Sequence, residues 1–153
     1  MTTLAEAKKE DDLARIETLE GAMLECPQVD VPLDHFFAHG VYIRQGVIPP
    51  NVFIVGHEHR FEHVCVLLKG SITLATPDGV ETLRAPLTWV AKPGRKVFFT
   101  HEETVMQNVH ATNERDLEKV EDELVIKSET WKAHQEDAAL AAKVREHLLS
   151  DRS

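Results

Sequence analysis

Apolar and polar positions alternate in short runs through the middle of the chain and fall at helical spacing towards both ends. Val41-Tyr42-Ile43-Arg44-Gln45, Ser71-Ile72-Thr73-Leu74-Ala75-Thr76, Val80-Glu81-Thr82-Leu83 and Thr88-Trp89-Val90-Ala91 show the period of two that sends successive side chains to opposite faces of a sheet. The β-branched runs Val52-Phe53-Ile54-Val55 and His63-Val64-Cys65-Val66-Leu67-Leu68 read as further strands, and 96–100 with 105–110 as a last hairpin. Turn residues separate these runs: Ile48-Pro49-Pro50-Asn51, Lys69-Gly70, Pro77-Asp78-Gly79, Lys92-Pro93-Gly94 and His101-Glu102-Glu103-Thr104. The sum is about eight short strands at regular spacing, which predicts an all-β sandwich or barrel.

The flanks differ. Residues 3–20 place Leu4, Ala7, Leu13, Ile16 and Leu19 at roughly helical spacing, and Gly21 is positioned to stop or kink that helix. Pro27 and Pro32 predict an extended crossing segment before the strands begin. From Glu114 the pattern is helical again, with Leu117, Val120, Leu124 and Val125 on one side. Residues 128–153 are alanine-rich and amphipathic, and Trp131, Leu140, Val144 and Leu148 form an apolar stripe. Such a helix either packs on the barrel or offers itself to a partner. Three parts follow: a helical lead-in and crossing segment (1–39), a barrel (40–112) and a C-terminal helical extension (113–153).

The chain has 153 residues, with 26 acids against 17 bases and a net charge of −9. That length suits one domain with a proper core. The acidic surface repels phosphate backbones and anionic lipid, so neither nucleic acid nor a membrane is an expected partner. No apolar run is long enough to span a bilayer, and the opening MTTLAEAKKEDD does not read as a signal peptide. Cys26 and Cys65 are the two cysteines, expected as free thiols in a reducing cytoplasm.

The chemistry concentrates in Asn51–Gly70, where His57, His59 and His63 fall within seven residues. His57 and His59 are two apart, so on a strand both imidazoles take one face. A short bend and a returning strand would bring in His63, and three converging neutral imidazoles make a first-row transition-metal site. His59-Arg60-Phe61-Glu62-His63 also spells H-x-x-E-H, but that zinc motif needs a helix, and the apolar β-branched flanks favour strand.

The spacing Asn51-x5-His57-x-His59-x3-His63-x6-Gly70 resembles the first cupin motif, G-x5-H-x-H-x3-E-x6-G, with Asn51 for the first glycine and His63 for the glutamate. The stretch from Pro86 resembles the second, G-x5-P-x-G-x2-H-x3-N. Gly94 matches it, Pro86 and Lys92 replace its first glycine and its proline, Val97 stands at its histidine, and His101 at its asparagine. The layout, with a helical lead-in and an acidic helix after the barrel, is also similar in texture to phage-encoded cupin-like proteins. The resemblance implies a double-stranded β-helix, or jelly-roll barrel, with N-terminal and C-terminal helices. It implies one divalent transition metal (iron, zinc, nickel or manganese) held by His57, His59 and His63. Valine cannot replace the second-motif ligand. If Val97 and Phe99 face inward, His101 shares their side; Met106, Asn108 and His110 would also point in across the hairpin. His101, His110 or water is therefore expected to complete the site.

Tyr42 and Arg44 lie on a strand of the same barrel, and an inward Arg44 is a natural anchor for a substrate carboxylate or phosphate. Catalytic residues are not indicated. The expected function is a metal-binding cupin working as a small-molecule metalloenzyme of dioxygenase, isomerase or lyase type. The alternatives left open are a non-catalytic small-ligand-binding protein and an assembly module built on a degenerate barrel. A small-molecule ligand and a homodimer are the expected partners.

Overall fold

The structure, a computed structural model, describes residues 2–76 and 78–151. Pro77, the first residue of the expected Pro77-Asp78-Gly79 turn, and Arg152-Ser153 at the end of the expected last helix lie outside the described residues.

Helix α1 (Leu4–Leu24) opens on a capping box, with Thr3 accepting from the Glu6 backbone N–H and the Glu6 carboxylate accepting from the Thr3 backbone N–H. It runs straight through Gly21. A Cβ at that position would meet Thr130 Cγ2 at 3.4 Å, an ordinary van der Waals contact, so α3 lies against this side of a helix that the glycine does not end. Then come β1 (Leu33–Ala38), β2 (Val41–Ile48), β3 (Phe53–Val55), β4 (Glu58–His59), β5 (His63–Lys69), β6 (Ser71–Thr76), β7 (Gly79–Arg84), β8 (Leu87–Ala91), β9 (Val97–Thr100) and β10 (Thr104–Ala111). Helix α2 (Leu117–Leu124), the two-residue strand β11 (Val125–Ile126) and helix α3 (Glu129–Ser150) complete the chain. Sheet structure thus begins at Leu33, within the segment where the two prolines predicted only an extended crossing.

Two antiparallel sheets face each other, in the orders β1-β2-β10-β5-β8 and β3-β9-β6-β7. Sequence neighbours are repeatedly split between the sheets, which is the jelly-roll, double-stranded β-helix arrangement. One end of the sandwich is filled by Leu67, Ile72 and Leu74, with Leu83, Leu87, Trp89, Phe98 and Met106 packed around them. The other end is capped by α2, whose Val120 and Leu124 pack on Tyr42 and Phe37. That helix is short and its burial is one-sided, so tertiary packing rather than propensity holds it.

Helices α1 and α3 pack on each other beside the barrel. Their junction is Glu20, which is buried, pairs with the buried Arg95, and accepts from the hydroxyl of Ser128, the N-cap of α3. Arg95 Nε in turn donates to the Gly56 carbonyl at 2.7 Å, fixing the backbone next to His57. The distal part of α3 leaves Leu140, Val144 and Leu148 exposed. Among the described residues no helix is long and apolar enough to cross a membrane.

Candidate metal centre and the cavity beneath it

Three strands carry one histidine each to the capped end of the sandwich. His59 closes β4, a strand of only two residues. Its neighbours hold it: Val125 of β11 pairs with it, and its backbone bridges Gly94 through bonds of 2.8 and 2.9 Å. Gly94 adopts φ +122, a conformation that a side chain would strain. His63 opens β5, and His110 lies on β10 opposite Tyr42. Both are buried.

The ligand nitrogens of His59, His63 and His110 all lie within 4.8 Å of one another. Ring centroids are 4.2 Å apart for His59–His63, 4.6 Å for His63–His110 and 5.6 Å for His59–His110, with the planes within 28° of parallel. His63 Nδ1 faces the Phe61 carbonyl at 3.4 Å, which favours the tautomer that leaves Nε2 with its lone pair. His59 Nδ1 is buried without a hydrogen-bond partner among the described residues. Burial, then the neighbouring His63 and His110 and the cations Lys96 and Arg44, hold His59 down to about 3. Burial, then His63 and Arg44, hold His110 at about 4. His63 is lowered as well, chiefly by burial. All three are therefore neutral donors at ordinary pH. Neutral, close and incompletely hydrogen-bonded imidazoles are the donor set that a borderline transition metal takes.

Of the five histidines expected as candidate ligands, His57 and His101 stand outside this group. His57 lies between β3 and β4, where the chain leaves one sheet, so the two-residue parity that would align it with His59 does not apply. Its ring sits edge-on to Trp131 of α3, centroids 5.0 Å apart, and its Nδ1 is buried without a hydrogen-bond partner among the described residues. His101 lies in the β9–β10 turn, 2.6 Å from the Thr73 hydroxyl and exposed. The condition for an inward His101 was that Val97 and Phe99 face in. The strand has the opposite parity: Lys96 and Phe98 line the interior, while Phe99 pairs with the exposed Phe53. Met106, Asn108 and His110 do face inward, but not across a hairpin. Strand β9 pairs with β3 and β6 while β10 pairs with β2 and β5 in the other sheet, so the expected hairpin of 96–100 with 105–110 is a crossing between sheets.

Beneath the histidines lies a cavity of about 280 Å³. His59, His63, Arg44, Lys96, Cys65 and Asn108 form its polar end, and Ile48, Ile72, Leu74, Trp89, Phe98 and Met106 its apolar floor. Cys65 Sγ donates to Asn108 Oδ1 at 3.2 Å, and burial pushes its thiol up to about 11, so it is a packed thiol rather than a nucleophile. A smaller cavity of about 120 Å³ lies on the other side of His59, bounded by Tyr42, Arg44, His57, Lys127 and Trp131. Tyr42 stacks between Phe37 and His110, and its hydroxyl shares a 2.7 Å hydrogen bond with His35 Nδ1. Both Tyr42 and Arg44 thus face the site. Lys96 and His35 were not singled out in the sequence; the only signal for Lys96 is its shared parity with Phe98.

No family model matches the chain, and no curated protein matches it. Solved structures similar to it include a cupin-2 domain protein from Shewanella frigidimarina, at 11% identity over 62% of this chain and 92% of that one, with a TM-score of 0.44. A cupin domain from Bordetella pertussis is 17% identical over 57% of this chain and 98% of that one, TM-score 0.45. A cupin superfamily protein from Desulfitobacterium hafniense is 10% identical over 61% and 87%, TM-score 0.48.

Proposed function

We propose that this chain is a metal-binding cupin that holds one divalent transition metal (iron, zinc, nickel or manganese) at the end of its barrel and works as a small-molecule metalloenzyme. The observation that carries this reading is the convergence of His59, His63 and His110 on one point above a cavity. Three neutral ligands would leave such a metal its full charge and open positions, enough for Lewis-acid, hydrolytic or oxygen chemistry of dioxygenase, isomerase or lyase type. The chain's own residues supply the rest. Arg44 anchors the substrate, and Tyr42 buttresses the His110 ring while His35 orients the Tyr42 hydroxyl. The apolar floor excludes water. His57 and His101 are left out of the proposed ligand set.

Metal content of untagged protein tests this. About one equivalent is expected, lost in His59→Ala, His63→Ala and His110→Ala and kept in His101→Ala. Metal kept in all three, or never taken up on reconstitution, overturns it.

A second reading is favoured by one observation: among the described residues no Asp or Glu lines the barrel cavity as acid or base. A non-catalytic ligand-binding barrel fits that lining. Oxygen consumption or substrate turnover by the metal-loaded protein separates the two.

The reading includes a homodimer through the outer face of the larger sheet. Phe36, Ile43, Val109, Val64 and Val90 stand in register across all five of its strands. An antiparallel sheet that faced water there would carry polar residues. In a chain of net charge −9, an uncharged row is where a second, equally acidic copy can approach. Val109→Lys is expected to give a monomer by sedimentation; a monomeric parent protein overturns this part.

A further inference from the structure

We infer that the cavity beneath the histidines takes a small monoanion with an apolar body, of the size class of benzoate or hexanoate, its carboxylate at Arg44 and its body on the barrel floor. This rests on the reading of the barrel interior as a ligand site. The first observation is charge. The chain carries −9 overall, yet among the described residues the cavity lining holds two cations, Arg44 and Lys96, and no carboxylate. Arg44 is exposed and Lys96 half-buried, so the pair stands where the cavity meets solvent and draws anions to it against the sign of the whole molecule.

The second is the state of the cations. Lys96 Nζ already donates to the Lys92 carbonyl, and Lys127, on the smaller cavity, is paired with Glu121 at 2.9 Å. Arg44 has neither an ion pair nor a side-chain hydrogen bond among the described residues, and it borders both cavities. Its guanidinium can therefore take a carboxylate with two parallel N–H donors.

The third is the floor. Ile48, Ile72, Leu74, Phe98 and Met106 offer no side-chain hydrogen-bond donor, and Trp89 carries a single indole N–H. A sugar or a second carboxylate at that end would lose several hydrogen bonds to water and find at most the one indole donor in exchange. At about 30 Å³ per water-sized group, the space admits about nine such groups, which fits one short chain or one ring.

Calorimetric titration of the metal-free protein with benzoate, hexanoate, their neutral amides, and adipate tests this. The two monocarboxylates are expected to bind about tenfold or more tightly than their amides and than adipate, with the preference lost in Arg44→Met and partly kept in Arg44→Lys. Circular dichroism of both variants checks that they fold. Amides binding as well as acids, an unchanged preference in Arg44→Met, or no binding of any probe overturns the inference. Metal content of the same preparations separates this failure from that of the metal reading. One equivalent of metal with no probe bound sinks only the ligand class, whereas carboxylate binding without any metal uptake sinks only the metal site.

Discussion

Val125, sixty-six residues further along the chain, is the backbone partner of His59. The same neighbourhood is tied by the Arg60 N–H donating to the Leu124 carbonyl at 2.9 Å, and by Trp131 against His57. A two-residue strand has no stability of its own. Amide hydrogen exchange is therefore expected to show residues 58–60 and 124–126 opening together, at a lower free energy than β5 and β10. Trp131→Ala should speed exchange in both segments. Independent exchange of the two would show that the pairing does not hold His59.

The buried Glu20–Arg95 pair joins α1 to the backbone beside His57. Removing one partner strands a buried charge, so Glu20→Ala or Arg95→Ala should each cost about 3–5 kcal/mol in chemical unfolding. The double change Glu20→Met/Arg95→Met removes both charges and should recover much of that loss. A double variant as unstable as the sum of the singles refutes the coupling.

Gly70 turns the chain between the sheets at φ +92, and a Cβ there would lie 2.5 Å from the Glu103 carbonyl oxygen and 2.9 Å from Thr104 Cα. Both are backbone atoms that cannot swing aside. Gly70→Ala should be among the most damaging single changes, with the folded yield lost or the melting temperature sharply lowered. Gly79→Ala, whose Cβ would meet nothing within 4 Å, pays only the conformational strain of φ +140 and should be milder.

Acid should weaken the metal-free protein well before its carboxylates titrate. His59 and His110 are held at about 3 and about 4, and His57 and His63 are lowered too, burial being the first cause throughout. In the unfolded chain each returns to 6.5, so the unfolded state binds more protons over the interval between. Stability is full above about pH 6.5 and falls as pH drops towards about 3, by on the order of a few kcal/mol. Urea midpoints of chelator-treated protein across that range should show the slope, and His59→Gln/His110→Gln should flatten it. A flat profile in the parent contradicts neutral, buried imidazoles.

Much of the architecture was legible because a strand between two environments writes its period into the sequence. Val41–Gln45 and Ser71–Thr76 alternate, and each forms a strand with alternating or near-alternating burial. His110 does face inward, but the expected hairpin does not put it there. Inward Val97 and Phe99 and a four-residue loop were its conditions, whereas β9 has the opposite parity, the connection is three residues long, and β9 and β10 lie in different sheets. The divergence of His57 from His59 was not readable, since it depends on β4 leaving β3 to pair with β11, a contact made by tertiary structure. For the same reason Gly21 reads as a helix stop: nothing local announces that Thr130 will lie against it. The parity of β9 turned on where the strand begins after Gly94, and one residue there reverses every side chain.

The pairing of β4 with β11 also sets an order of events during synthesis. A ribosome has released His59 and His63 long before His110, Leu124 and Val125 exist, so the two early histidines wait on an unsupported segment. The donor group can close only after the chain has emerged through Val125. Loading of a metal is thereby expected to follow the pairing of β4 with β11 rather than to seed it.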